Sequence, residues 1–317
     1  MSADRQRPRL PPSLTILVVG YNSLAHVPQC LSAIEQSQGS GEWEIRFVNN
    51  GTDSSEDYIR REHPDVKVYP TIGNVGFGTA NNYLAKGAVT DCLVLLNPDA
   101  VVKPDAIGAL MEAARGPYSV LGGREIGKHG DVGHIIPIVP PTLGYFARSA
   151  IGRSRSVILP REGDRVIETE AVSGSFFLVK RAIFEEVGGF DEKFFLYAEE
   201  LDLCRRIRST GERIGVVPDA VAIHDTGSGD PLSSARMLWM ATGIAQYCFK
   251  HQSRPLAVLT IATFWLTSVM RWLSGSFLRF LGTRFADAAK AARPIALYPH
   301  RWMRGFASPG ADPRRSD

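Results

Sequence analysis

Asp99, Glu200 and His224 are the side chains whose types and settings could do chemistry. Asp99 follows Leu93-Val94-Leu95-Leu96-Asn97-Pro98, an apolar run that reads as a strand buried on both faces. Pro98 removes a backbone donor and drives Asn97 out of the helical region, so the strand stops there. A carboxylate at the carboxyl end of a buried strand sits where open α/β sheets bind ligands. It suits a hard divalent cation, and such a cation suits a diphosphate. Asn-Pro-Asp is equally a sequence of turn residues, which leaves a plain turn as the alternative.

Glu200 lies in Phe194-Phe195-Leu196-Tyr197-Ala198-Glu199-Glu200-Leu201-Asp202-Leu203-Cys204-Arg205-Arg206-Ile207. Helical spacing aligns Glu200 with Leu203, Cys204 and Ile207, and puts Glu199, Asp202 and Arg206 on another face. A carboxylate on the apolar side is costly unless paired, and burial raises its proton affinity. That is how a general base is tuned. The alternative is a structural Glu paired with Arg205 or a backbone donor. His224 closes a strand-like run and could reach the crevice of Asp99 as a metal or phosphate ligand, or be an ordinary strand-end histidine.

The elements that must position these groups follow from the apolar pattern. Thr15 to Val19, Glu44 to Val48, Val66 to Tyr69, Cys92 to Leu96, Ser119 to Gly123 and Gly174 to Val179 read as strands. Helical runs lie between them at Leu24–Gln36, Ser54 or Ser55 to His63, Thr79–Lys86, Pro104–Ala114 and Arg181–Val187. Strands and helices alternate every roughly 25–30 residues, which predicts βαβ units and a parallel sheet. From Arg124 to Arg165 the pattern dissolves among Pro137, Pro140, Pro141 and Pro160, as in a long loop that covers a ligand. Ile214 to Ile223 reads as a strand pair around Pro218-Asp219.

Of the 317 residues, 44% are apolar and 22% charged, with a net charge of +3. That composition is globular and gives no support for nucleic-acid binding. Basic residues gather at the ends: Arg5, Arg7 and Arg9 near the start, and nine Lys or Arg against three Asp or Glu from Arg271 onward. Cys30, Cys92, Cys204 and Cys248 are far apart in apolar segments; they read as reduced core residues of a cytoplasmic protein, not as a disulfide or zinc framework. Met1 to Pro12 has no apolar run of a secretory signal. Leu256 to Met270 carries no charge, and Arg271, Trp272, Phe277, Arg279, Phe280 and Arg284 then mix aromatics with cations. That pattern fits an in-plane membrane contact or a homodimer face rather than a span, with packing on the catalytic domain as the alternative.

Val18-Val19-Gly20-Tyr21-Asn22, Val48-Asn49-Asn50-Gly51-Thr52, Gly73-Asn74-Val75-Gly76-Phe77-Gly78 and Leu95-Leu96-Asn97-Pro98-Asp99-Ala100 come in that order. Ser173 to Val179, Gly188 to Glu192 and Phe194 to Arg206 follow. Together these motifs resemble family 2 glycosyltransferases over residues 14 to 229, most of all the bacterial rhamnosyltransferase branch. The resemblance implies a GT-A fold: an α/β, Rossmann-like, mostly parallel sheet flanked by helices. It leaves an N-terminal arm (1–13), C-terminal helices (230–300) and a basic tail (301–317).

The resemblance further implies inverting transfer from a nucleotide-diphosphate sugar, with rhamnose from dTDP-rhamnose as the expectation, to a glycan or polyprenyl-diphosphate-linked acceptor at the inner face of the plasma membrane. Asn97-Pro98-Asp99 takes the place of the Asp-x-Asp motif, so Asp99, completed by His224, would hold Mn²⁺ or Mg²⁺. Glu199-Glu200 takes the place of the Glu-Asp pair, with Glu200 as base and Glu199 as the second candidate. Tyr21, Asn22, Asn49, Gly73, Asn74, Gly78, Asn97, Ser173 and Gly174 would meet the nucleotide sugar. Two positions depart from the pattern: the family commonly has Asp at Asn49, and the pair usually ends in Asp, one methylene shorter than Glu200. A dinucleotide oxidoreductase lacks support because Gly20-Tyr21-Asn22-Ser23 is not its glycine fingerprint. A sugar nucleotidyltransferase lacks its Gly- and Lys/Arg-rich loop, and a non-catalytic partner in a polysaccharide assembly complex is favoured by Asn49 alone.

Overall fold

The computed structural model describes residues 14–37, 43–127, 139–150, 163, 165–224 and 233–306. The arm 1–13, the segment 225–232, Pro137, Pro160 and residues 307–317 therefore lie outside the described residues. The first half alternates as expected: β1 (Leu14–Gly20), α1 (Val27–Glu35), β2 (Trp43–Asn49), α2 (Ser55–Glu62), β3 (Lys67–Val68), α3 (Phe77–Ala85) and β4 (Cys92–Leu96). Then come β5 (Ala100–Val102), α4 (Ala106–Ala114), β6 (Tyr118–Ile126), α5 (Leu143–Ala150), β7 (Ile167–Glu168), β8 (Phe176–Lys180), α6 (Arg181–Glu186), α7 (Glu199–Ser209) and β9 (Arg213–His224). Three long helices follow, α8 (Ser234–His251), α9 (Arg254–Leu278) and α10 (Thr283–Leu297).

The sheet runs β3-β2-β1-β4-β8-β6-β9-β5, with β7 on β9. β1 to β4 are parallel neighbours, as crossover helices dictate, while β8 enters antiparallel between β4 and β6. Leu14, Ile16 and Val18 point to the face covered by α1 and α4. Leu17 and Val19 point to the face covered by α3 and α7. With both faces occupied, the central strands are apolar throughout instead of alternating.

Three expectations change. The chain does not become irregular at Arg124: β6 continues to Ile126, and α5 forms inside the expected loop. Ile214 to Ile223 is not a strand pair but part of one strand, β9, with an irregularity facing Gly122 and Arg124. Gly122 pairs with Val216 and Arg124 with Val221, so Pro218 falls where the ladder is interrupted and its missing donor costs little. Finally, the expected tail begins too early, because Trp302 is fully buried against α8, α9 and α10.

Candidate active site

Sheet register brings the site together. β4 ends at Leu96, which pairs with Phe176, so the Asn97 N–H donates to the Ser175 carbonyl at 2.8 Å. β5 pairs antiparallel with β9 so that Ala100 faces His224, which sets Asp99 beside the imidazole. β6 pairs parallel with β9 so that Glu125 faces Ala222. The outcome is a continuous polar chain. His224 Nε2 lies 3.2 Å from Asp99 Oδ1, and His224 Nδ1 lies 2.8 Å from Glu125 Oε2. The Ser175 hydroxyl donates to Glu125 Oε1 and lies 3.1 Å from the Ser173 hydroxyl.

Burial works against the charge of His224, but the hydrogen bonds and charges of Asp99 and Glu125 overcome it and push the imidazolium up to about 10. Burial likewise opposes the Glu125 charge, yet His224, Ser173 and Ser175 hold its carboxyl below the usual range. Glu125 is absent from the sequence-predicted site. A lone acid in Gly-Gly-Arg-Glu-Ile, just past an apolar run, carries no local signal, and only the parallel pairing with β9 gives it a partner.

The second half of the site is the start of α7. Tyr197 and Ala198 both have φ near 70°, a left-handed conformation costly for residues with a Cβ. The strained pair is clamped from two sides. The Phe77 N–H donates to the Phe195 carbonyl at 3.1 Å, and a Cβ at Gly76 would come within 2.1 Å of that oxygen. A Cβ at Gly243 of α8 would come within 2.2 Å of the Tyr197 carbonyl oxygen. Only glycine permits both approaches.

This clamp reverses part of the helical-face reading. Glu199, expected on the polar side, is the more buried of the pair at 4% exposure, and its Oε2 has no hydrogen-bond partner. Glu200 is half-buried. Burial, reinforced by the neighbouring Glu200 charge, raises the proton affinity of Glu199 well above a normal carboxylate. Burial also raises Glu200, to about 7, against backbone N–H groups that favour its charge, with Glu125 adding repulsion. Arg205 is not the partner of Glu200, since it bonds the Tyr247 hydroxyl and the His251 carbonyl. Asp202 is buried too, and neutralised by Arg206, Lys250 and His251.

Between the two halves lies a cleft of about 230 Å³ lined by Tyr21, Asn74, Asn97, Asp99, Phe77 and Trp239 among others. Ser23 and Asn50 also line it, each with a buried oxygen that lacks a partner among the described residues, as a polar ligand's site would. Gly174 stands where a Cβ would touch Phe77 at 3.6 Å and Glu200 at 3.8 Å, so Glu200 stands near Phe77, which lines the cleft, without lining it itself. A larger hollow, about 560 Å³, is lined by Ile72, Tyr83 and Phe184 among others and holds none of the sequence-predicted residues.

Of the other expected contacts, Asn22 sits at the mouth with φ 49°, its Oδ1 accepting from Thr52 N–H at 3.0 Å. Gly73 has φ 77° and open space around it. Two expectations fail. Asn49 is buried, and its side chain is spent on Asp53 and the Gly51 N–H, so it braces the turn after β2. Gly78 faces away from the cleft, because a Cβ there would meet Phe190 at 2.9 Å; it is a packing glycine.

A mixed α/β sheet with its polar cleft at the ends of β1, β2 and β4 is the GT-A class of architecture. The mannosyltransferase PcManGT from Pyrobaculum calidifontis, solved in complex with GDP-Man and Mn²⁺, superposes with a TM-score of 0.60 at 16% identity, covering 92% of this chain and 88% of that one. The glycosyl transferase family 2 model matches residues 15–188, and the chain belongs to that family. It is 28% identical over 243 residues to an N-acetylglucosaminyl-diphospho-decaprenol L-rhamnosyltransferase of Mycobacterium tuberculosis, covering 67% of this chain and 75% of the relative. It is 30% identical over 169 residues to rhamnosyltransferase WbbL of Escherichia coli, covering 49% and 63%. The chain is a glycosyltransferase.

Proposed function

We propose that the chain is a metal-dependent, inverting glycosyltransferase that moves rhamnose from dTDP-rhamnose to a hydroxyl of a polyprenyl-diphosphate-linked or cell-envelope glycan acceptor. The observation that carries this reading is the polar run from Asp99 through His224 and Glu125 to the Ser175 and Ser173 hydroxyls, with Glu200 near enough to Glu125 to feel its charge. Asp99 lines the cleft, and Glu200, remote from it in sequence, is a carboxylate whose proton affinity burial raises. The sugar and the lipid-linked acceptor rest on the relatives' activities; the cation and the base rest on the residues.

The donor set fits a divalent cation that the substrate helps to hold. Asp99 offers a hard oxygen, and His224 Nε2, 3.2 Å away, would offer a lone pair once a cation displaces its proton, while among the described residues no group of three or more His, Cys, Asp or Glu forms a closed cage. Mg²⁺ and Mn²⁺ are commonly held by one or two protein ligands plus substrate phosphates and water. A bound cation would supply charge neutralisation to the departing diphosphate.

Every other role falls to the chain. Glu125 accepts from His224 Nδ1 and so turns Nε2 toward Asp99, the arrangement of a ligand oriented by an outer carboxylate. Glu200 takes the proton of the acceptor hydroxyl as its oxygen attacks the anomeric carbon from the side opposite the diphosphate. One carbon–oxygen bond forms, the bond to the diphosphate breaks and carries off its electron pair, and the configuration inverts. Glu199, buried with its Oε2 unpartnered among the described residues, keeps its proton and spares the site two adjacent charges. The Asn49 substitution gives no support to a non-catalytic role, since the side chain there has a structural job.

Thermal unfolding in the presence of nucleotide sugars, with and without Mn²⁺, tests the reading. dTDP-rhamnose with Mn²⁺ should raise the unfolding temperature most, because a ligand that binds only the folded state stabilises it by mass action. A larger, metal-independent shift with another donor would overturn the proposed substrate.

A further inference from the structure

Among the described residues, the outer side of α9 has no partner in the fold. Ala257, Thr260, Ile261, Thr267, Ser268 and Gly275 face inward against the rest of the helical cluster. The opposite side presents Leu259, Leu266, Met270, Leu273 and Phe277, with Leu281 in the 3-10 turn just beyond the helix, each more than half exposed. Their spacings of seven, four, three, four and four keep them in one stripe along the helix. No charged residue interrupts that stripe, which extends about 33 Å at the rise of an α-helix. Phe277 and Phe280 at its end are 75% and 74% exposed. A contiguous apolar surface of that length is not a stable solvent face.

We propose that this stripe is an in-plane docking surface for an anionic lipid bilayer. Charge selects the occupant. From Arg254 to Phe306 eight Lys or Arg stand against one acid, Asp287, and Arg279, Arg284, Lys290 and Arg293 are exposed. A second copy docked on the same face would bring two such basic surfaces together with hardly an acid to balance them. An anionic membrane meets both the apolar stripe and its cationic flanks.

The helix is long and apolar enough to cross a bilayer by length and composition, but its inner side is fastened down. Trp265 Nε1 donates to the Ala296 carbonyl at 3.0 Å, Arg271 donates to the Ser149 hydroxyl at 2.6 Å, and Gly275 lies against Phe285 and Ala289. Crossing would strip all of this away, whereas lying in the interface keeps it. The inference goes beyond the sugar-transfer reading and holds whichever donor or acceptor the cleft takes.

The test is co-sedimentation of the full chain with vesicles of equal parts phosphatidylcholine and phosphatidylglycerol, beside vesicles of phosphatidylcholine alone. The native chain should pellet with the anionic vesicles, less with the neutral ones, and less as salt is raised. The Leu273→Glu/Phe277→Glu double variant should lose at least about tenfold in partitioning, with an unchanged unfolding temperature and unchanged donor binding, because both positions are exposed and far from the cleft residues. Equal partitioning of native and variant chains would overturn the proposal. So would a vesicle-free dimer that the double variant dissociates, or a bound chain that alkaline washing cannot release, which would mean a span.

Discussion

Glu125 shows how a side chain without a local motif can govern a site. It fixes the His224 ring through Nδ1, so removing it should free the imidazole to rotate. Glu125→Ala is expected to weaken Mn²⁺ binding about 10- to 100-fold, the usual loss when an outer carboxylate is removed. Glu125→Gln, whose carbonyl still accepts from Nδ1–H, should recover most of the affinity. Titration of free Mn²⁺ by electron paramagnetic resonance reads this directly; equal affinity in all three chains would remove Glu125 from the site. Asp99 and Glu200 were singled out in the sequence because each sits in a motif with a strong apolar frame. Glu125 was not, because its meaning arises from a register between strands nearly a hundred residues apart. Asn49 and Gly78 were misread for the converse reason: they belong to motifs, but their local packing, not the ligand, demands them.

At the scale of elements, the clamp on residues 195–198 sets where the α7 carboxylates point. Gly243 lies in the middle of a helix, where glycine is a poor choice unless something approaches closely; here the Tyr197 carbonyl does. Gly243→Ala must push that loop away, so kcat should fall at least about tenfold from misplacement of Glu200, while nucleotide binding on the Asp99 side persists. Steady-state rates beside donor binding by calorimetry separate the two, and an unchanged kcat would show that the loop yields harmlessly.

The far end of the same unit is held by charge. Arg206 joins Asp202 to the carbonyls of Val187 and Gly189, and Lys250 bridges Asp202 and Asp191. Burial disfavours the Asp202 carboxylate, but hydrogen bonds from His251, Lys250 and Arg206 lower it to about 2. A folded value below the unfolded one means stability that is present above about pH 4. It is lost as pH falls toward about 2, and amounts to about 2 kcal/mol. Urea unfolding across that window should show a loss in the native chain that is larger, by about this amount, than in Asp202→Asn, whose stability near neutral pH is lower. The sequence placed Asp202 and Arg206 on a common face and was right in that. It did not place Asp202 inside, because two of its partners, Lys250 and His251, come from α8.

For the whole molecule, the parallel half of the sheet was readable from alternation of apolar runs and helical spacing, since βαβ units are built from neighbours in sequence. The second half was less so. β6 and β9 carry polar residues where they leave the core and build the site, and β8 enters against the direction of its neighbours, so local pattern fades where long-range pairing takes over. On the proposed reading, Asp99 would serve as the cation ligand of the cleft and Glu200 as its proton acceptor.

Turnover of Glu200→Gln tests that arrangement most directly, followed as release of nucleotide diphosphate from the preferred donor in the presence of acceptor, with donor binding measured on the same sample. Transfer should fall about 10²–10⁴-fold, the usual contribution of a general base, while Mn²⁺-dependent donor binding stays at the native level. Near-native turnover in Glu200→Gln would contradict the assignment of the base and, with it, the division of labour across the cleft.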